Sequence, residues 1–167
     1  MNEDPMKLIL KAERHVKTVC GKKLKVGVIV PNFYERGISV QRVAVLNRFE
    51  RASGSTPDGD TLMVPARDFL MIAMRKHASE WRKAIADAFK MYGPNVTKTG
   101  AYSGWSKVGR RAASDMKKVV FDSSNFAPNA PSTKRRKHST KPLLDTRLMV
   151  NSISFRISDA SPSKRSG

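Results

Sequence analysis

PLLDTRLMVNSISFRI, Pro142 to Ile157, puts an apolar, strand-like element near the end of a very basic chain. Directly upstream runs TKRRKHSTK (133–141), nine residues of which five are Lys or Arg; downstream there is only SDASPSKRSG (158–167). Within the stretch, Ser152 to Ile157 alternates Ile153, Phe155 and Ile157 against Ser152, Ser154 and Arg156, the period of a strand with one buried face. A strand behind the most basic run makes that run a loop, pinned where the strand enters a sheet. Only 158–167 is then left as a flexible tail.

A second strand lies near the other end. LKVGVIV, Leu24 to Val30, alternates Leu24, Val26, Val28 and Val30 against Lys25, Gly27 and Ile29, and Pro31-Asn32 ends it. The same small sheet is expected to hold both strands, with their order and pairing left open. Between and around them the periodicity is helical. Asp4 and Pro5 open a helix whose Leu8, Ile9, Ala12, Val16 and Val19 recur at helical spacing, with Cys20 near its end as a buried or half-buried thiol. Ser39 caps a short helix from Val40 to about Arg51, with Val43, Leu46, Asn47 and Glu50 on one side. The longest helix runs from about Ala66 to Tyr92, its stripe being Phe69, Ala73, His77, Trp81, Ile85, Ala88 or Phe89, and Tyr92. TKTGAYSG reads as a loop, and a further helix follows from Trp105 to about Val120, locally weakened by Gly109. Ala130 to Thr133 starts one short helical turn.

These elements predict an α+β fold: a single domain over 1–157, with a small antiparallel or mixed sheet packed by three or four helices. Two long loops, 52–64 and 121–141, interrupt it. A length of 167 residues and 40% hydrophobic content suffice for one real core. Charge is the outlier. With 32 Lys and Arg against 14 Asp and Glu, the net charge of +18 points to acidic partners: nucleic acid, an anionic membrane or an acidic protein face. No apolar run approaches the roughly 18 residues of a membrane span, and of these three partner classes a membrane is the one not expected. One cysteine excludes an internal disulfide and a cysteine-rich zinc site.

Catalytic constellations are missing. His15, His77 and His138 show no metal-ligand spacing, and His77, one turn before Trp81, reads as a core or interface histidine. Glu50, Asp58 and Asp60 flank a Gly-rich turn without the spacing of a calcium loop. No phosphate-cradling or dinucleotide motif is present, so neither an enzymatic activity nor a cofactor is expected. The basic loop Lys134, Arg135, Arg136, Lys137 and Lys141 carries no interleaved aromatics for stacking bases, and suits docking to an acidic surface or to DNA phosphates.

Two stretches together resemble a known family. The first is VAVLNRFERASGSTPDGDTLMVPARDFL (43–70): an amphipathic helix ending in Asn-x-Phe, a Gly-rich loop, then Pro-Ala-Arg-x-Phe-Leu opening a long helix. The second is PNAPSTKRRKHSTKPLLDTRLMVNSISFRI (128–157): Pro-x-x-Pro-x-Thr, a basic stretch, Pro-Leu-Leu-Asp-Thr and an Asn-Ser-Ile strand. In this order and separation they resemble the tail-completion, or virion-morphogenesis, proteins of tailed bacteriophages. The chain departs from the family pattern twice, with Arg147 in place of the Gly after Asp-Thr, and Glu50 in place of the Gly in Asn-Glu-Phe-Gly.

The resemblance implies a structural protein of the virion neck, assembled in the host cytoplasm. It would form a ring, commonly of six copies, that caps the tail tube and docks to the head–tail connector. Its implied partners are itself, the tail terminator or tail tube protein, the connector, and genomic DNA in the lumen. Residues expected at interfaces are Pro65, Arg67, Asp68 and Phe69 at the start of the long helix, and Pro142, Leu143, Asp145, Thr146 and Arg147 before the last strand. For Arg67 and Asp68, intramolecular capping is the competing role, and for Asp145 and Thr146 it is turning the chain. A stand-alone nucleic-acid-binding module is the alternative, but the basic residues form no single groove-facing recognition helix.

Overall fold

In the computed structural model of the chain, the described residues are 6, 7, 10, 11, 13, 21–55, 61–92, 97–136, 140–144 and 147–159. Met6, Lys7, Leu10, Lys11 and Glu13 are helical, while the cap at Asp4-Pro5 and Cys20 lie outside the described residues. The fold is α+β, with two small antiparallel sheets.

Strand β1 (Lys22–Val28) pairs antiparallel with β4 (Ile153–Asp159), in a register that sets Leu24 opposite Ile157, Val26 opposite Phe155 and Val28 opposite Ile153. Cross-strand partners share a face, so the alternation read in each strand converges on one apolar side. That side meets α3 (Lys98–Phe121). Strand β1 stops two residues short of the expected Val30 because the chain leaves the ladder: the Ile29 and Val30 amides both donate to the Ser152 carbonyl, at 3.0 and 3.2 Å.

Helix α2 (Phe69–Tyr92) runs antiparallel to α3, as cross-helix pairs at both ends show. Phe89 meets Trp105 edge-on with ring centroids 5.3 Å apart, and the Lys76 ammonium reaches the Asn125 side chain at the far end. Helix α3 begins seven residues before the expected Trp105, so TKTGAYSG is no loop. The Thr97 hydroxyl caps it by accepting from the Gly100 amide at 3.0 Å. Gly and small residues there suggest a turn, but Ala101, Gly104, Val108 and Ala112 are buried at helical spacing, a narrow stripe suited to close helix contact. The neighbouring buried positions Gly109, Ala113 and Met116 take in the sheet side, so α3 is covered from two directions.

Ser39 caps α1 (Val40–Leu46) as expected, its hydroxyl accepting from the Arg42 amide. The helix buries Val40 and Ala44 with Asn47; Leu46 and Glu50 are exposed, because the helix ends at Leu46 and cannot keep its face toward the core. Within 52–64, residues 52–55 and 61–64 are strand rather than loop, while 56–60 lie outside the described residues. Strands β2 (Arg51–Ser55) and β3 (Thr61–Val64) form a hairpin, with a register shift between Ala52 and Ser55 where Gly54 takes φ +117°. In 121–141 the chain makes a 3-10 turn at Ser123–Asn125 and a short helix, α4 (Pro131–Arg136).

Leu148–Ser152 forms a last short helix, α5, ahead of β4, so the apolar LMVNS is helical and the strand starts one residue later than its alternation suggests. Met149 and Val150 join the core with Phe69, Ala73, Val40, Met116, Val120 and Ile153. Ser152 is fully buried, and its hydroxyl links three segments: it accepts from the Asn32 amide group at 2.8 Å and donates to the Leu148 carbonyl at 2.8 Å. Ser152→Ala leaves the Asn32 donor unsatisfied in a closed site. It is expected to cost about 1–3 kcal/mol in urea unfolding with m unchanged; an unchanged midpoint would show that water replaces the bond.

Candidate functional site

The two stretches that carry the family resemblance meet at Arg67. Its amide donates to the Asn47 carbonyl at 2.6 Å, and its guanidinium donates to the carbonyls of Ala127 and Pro128 at 3.2 and 3.3 Å. Burial first, and the neighbouring Arg51 charge second, hold the Arg67 guanidinium below its usual pKa. Beside it, Asp68 caps α2 by accepting from the Met71 amide at 3.0 Å and pairs with Arg48 at 3.0 Å. Asp68 takes the capping role, whereas Arg67 caps no helix and instead bonds the backbone of residues 127 and 128. Arg51 completes the junction by donating to the Leu46 carbonyl at 2.9 Å. Together these bonds tie the feet of the β2–β3 hairpin to the ends of α1 and α2. Among the described residues, β2 and β3 contact chiefly each other.

The expected interface residues divide by burial. Phe69 is 0% exposed and sits in the core, so it has no surface for a partner; as an interface residue it is corrected, because its step on the α2 stripe carries it into the core cluster with Val120 and Met149 rather than outward. Pro142 is buried as well, and Leu143, at φ 61°, packs on the core cluster. Pro65 is half-buried, and Arg147 is exposed. Asp145, Thr146 and Lys137 lie outside the described residues. Arg147 takes φ 59° and opens α5 without a side-chain cap.

Lys134 and Arg135 stand exposed on α4, Arg136 ends it, and Lys141 is exposed just beyond. Replacing Lys134, Arg135, Arg136 and Lys137 by Ser is expected to leave the melting temperature within about 2 °C, since Lys134 and Arg135 are exposed and such side chains, away from caps and core, contribute within about 0.5 kcal/mol. Loss of folding would show that the run is structural.

Sequence reasoning missed a polar network between α2 and α3. Asp115, only 5% exposed, accepts from Trp81 Nε1–H at 3.1 Å and from Lys118 at 3.2 Å. Arg111 bonds Glu80 at 2.9 Å, and His77 stacks on Trp81 with centroids 6.1 Å apart. Burial alone would raise the Asp115 carboxyl, but the Trp81 and Lys118 bonds and the nearby His77 and Lys118 charges outweigh it and lower its pKa. Its bonds therefore stabilise the fold at neutral pH, and that contribution is lost as pH falls through the lowered native value. Donor atoms of His77, Glu80 and Asp115 lie within 4.8 Å of one another. Both carboxylates already accept from Arg111, Trp81 or Lys118, so a divalent ion would have to compete with two fixed cations. The network reads as a helix–helix clamp. Its signal in the sequence was Trp81 and Asp115 on facing helices, visible only once the helices are paired.

A second feature appears where α3 passes the β4 strand. A groove of about 360 Å³ is lined by Arg110, Ser114 and Lys117 on one side and Ser154 and Phe155 on the other, floored by Ala113 and Ile153. None of these residues is acidic, and neither Arg110 nor Lys117 has an acidic partner among the described residues. No protein-family model matches the chain, and neither a curated protein nor a solved structure is significantly similar to it.

Proposed function

We propose that the chain is a tail-completion protein of a tailed-bacteriophage virion. It is a structural component of the neck that assembles into a ring of six copies, caps the finished tail tube and joins it to the head connector. The observation that carries this reading is the pair of stretches 43–70 and 128–157, in that order and separation.

Other features support it. Arg67 of the first stretch bonds Ala127 and Pro128, where the second stretch begins, which brings the two motifs together. Arg147, at the place where the family pattern has Gly, takes the left-handed φ of 59° that Gly adopts without strain. The other departure, Glu50, takes no positive φ. Phe33, Val45, Phe49 and Met63 are each more than half exposed, the kind of apolar surface that a ring subunit covers against its neighbours. The net charge of +18 suits docking on acidic connector or tail surfaces, or DNA in the lumen, by raising the rate and fixing the orientation of encounter.

Mass in solution with negative-stain imaging tests the proposal. A ring that attaches to isolated tails is the expected result. A monomer that shifts short DNA and ignores tails would overturn it in favour of a nucleic-acid-binding module.

A further inference from the structure

The groove beside β4 opens onto a second basic surface. In the β1–β4 ladder, Lys23 stands opposite Ser158, Lys25 opposite Arg156 and Gly27 opposite Ser154. These residues alternate with those that meet α3, so they share the sheet face turned away from it. Lys23, Lys25 and Arg156 are exposed, and none of the three pairs with an acid among the described residues. Asp159 falls on the other face by the same alternation and is bonded to Lys22. Lys25 and Arg156 are direct register partners, and like charges placed opposite each other on a sheet are destabilising.

Ser154 joins this face to the groove. It lines the groove across from Arg110 and Lys117, and Arg156 lies two residues further along β4, about 7 Å away. Arg110 and Lys117 are seven residues apart on α3, about 10 Å along the helix axis, with exposed Ser114 between them. Cations thus flank β4 on both sides, and the side chains exposed beside them, Ser114 and Ser158, carry hydroxyls.

That composition selects among acidic partners. A protein interface centres on apolar or aromatic anchors, and no exposed side chain on this surface is apolar. Phe155 is half-buried against α3, so it offers no free ring for stacking an unpaired base. Lys, Arg and Ser are side chains that hold phosphate oxygens without reading base edges. We propose that Lys23, Lys25 and Arg156 on the sheet, with Arg110 and Lys117 on α3, bind the phosphate backbone of a nucleic-acid duplex without sequence preference. Bound phosphates also relieve the repulsion between Lys25 and Arg156. Nothing in this contact requires a ring; within one, it is the face turned to DNA in the lumen.

Duplex DNA and duplex RNA carry the same phosphates, so the test titrates short labelled duplexes of both with the full chain across a salt series, read by fluorescence anisotropy. Lys23→Gln with Lys25→Gln and Arg156→Gln should weaken binding about 10-fold or more at fixed salt. The slope of log affinity against log salt should become shallower by about 2 to 3, near 0.9 for each phosphate contact removed. Arg110→Gln with Lys117→Gln should remove about 2 from the slope. Arg82→Gln with Lys83→Gln, exposed cations on α2, is the charge-matched control and should remove less than about 0.5. Circular dichroism melts check folding, and Lys25→Gln alone, expected to remove about 1, serves if the triple variant does not fold.

Binding of either duplex through this face supports the proposal, and the tighter of the two names the source of the phosphates. Equal losses from the face and the control pair would overturn it, since net charge rather than a surface would then drive binding. A wild-type chain that binds polyglutamate but neither duplex would assign the face to an acidic protein instead, and binding to none of the three would overturn it outright. A ring that ignores both duplexes overturns this contact and leaves the neck reading intact; a monomer that binds them through this face does the reverse.

Discussion

Replacing Ile153 by Asp is expected to unfold the chain at neutral pH. Ile153 is 1% exposed, opens β4 opposite Val28, and touches the core where Met149, Val150 and Val120 converge. The substitution removes a buried aliphatic side chain, worth about 2–5 kcal/mol when truncated, and adds a carboxyl that must be buried or neutralised. A total of roughly 4 kcal/mol or more is set against a typical stability of 5–15 kcal/mol. The carboxyl's pKa in any folded state would be raised, so residual structure should be greatest in mild acid and fade as pH rises. Ile153→Val keeps the apolar face and should cost only about 1 kcal/mol. Far-ultraviolet circular dichroism with urea unfolding measures both. A cooperative, native-like transition for Ile153→Asp would mean that β4 does not enter the core.

The second large effect is expected at Gly109. A Cβ built there would lie 2.4 Å from Phe155 Cδ2, 2.6 Å from Phe155 Cγ and 3.1 Å from Leu24 Cδ1. Because Cγ is fixed close to the strand backbone, relief requires β4 to move away from α3 or Phe155 to leave its rotamer. On helix propensity alone, Gly109→Ala would stabilise by about 1 kcal/mol. Overpacking of about 1–3 kcal/mol opposes this, so the net sign is destabilising. Gly109→Val adds branched carbons to the same contact and should lose about 3 kcal/mol or more. A double-mutant cycle isolates the cause. In a Phe155→Ala background the closest obstruction is gone, leaving the movable Leu24 Cδ1 at 3.1 Å, and Gly109→Ala should then stabilise by up to about 1 kcal/mol. A Gly109→Ala protein more stable than wild type with Phe155 present would refute the close approach.

Gly109 also shows how far periodicity can be read. As a sequence feature it marks a weak point in a helix; in the structure it is the place where the helix admits an aromatic ring from the sheet. The same limit applies to TKTGAYSG, where glycines and hydroxyls suggest a turn, yet Thr97 caps a helix that uses those small residues to lie against α2. In 52–64, Ser, Gly, Pro and Asp hide two strands, because Ala52, Gly54, Ser55, Thr61 and Met63 are exposed and leave no apolar alternation to detect. Candidate interface residues suffered in a different way. Nothing local tells whether Arg67 turns outward to a neighbouring subunit or inward to the carbonyls of Ala127 and Pro128, 60 and 61 residues away.

The sequence by itself determined the α+β class, the long α2 stripe, the Ser39 cap, and the existence of a strand near each end of the chain. Each depends on local capping or on a period of 2.0 or 3.6, which neighbouring residues encode directly. PLLDTRLMVNSISFRI belongs to that set in its second half, where Ile153, Phe155 and Ile157 mark the strand. Only the tertiary structure decided that this strand pairs antiparallel with β1, that Ser152 joins it to Asn32, that Phe69 is core, and that a basic groove runs beside β4. Those outcomes turn on contacts between residues far apart in the chain, and their energies depend on which groups lose water together when the chain folds.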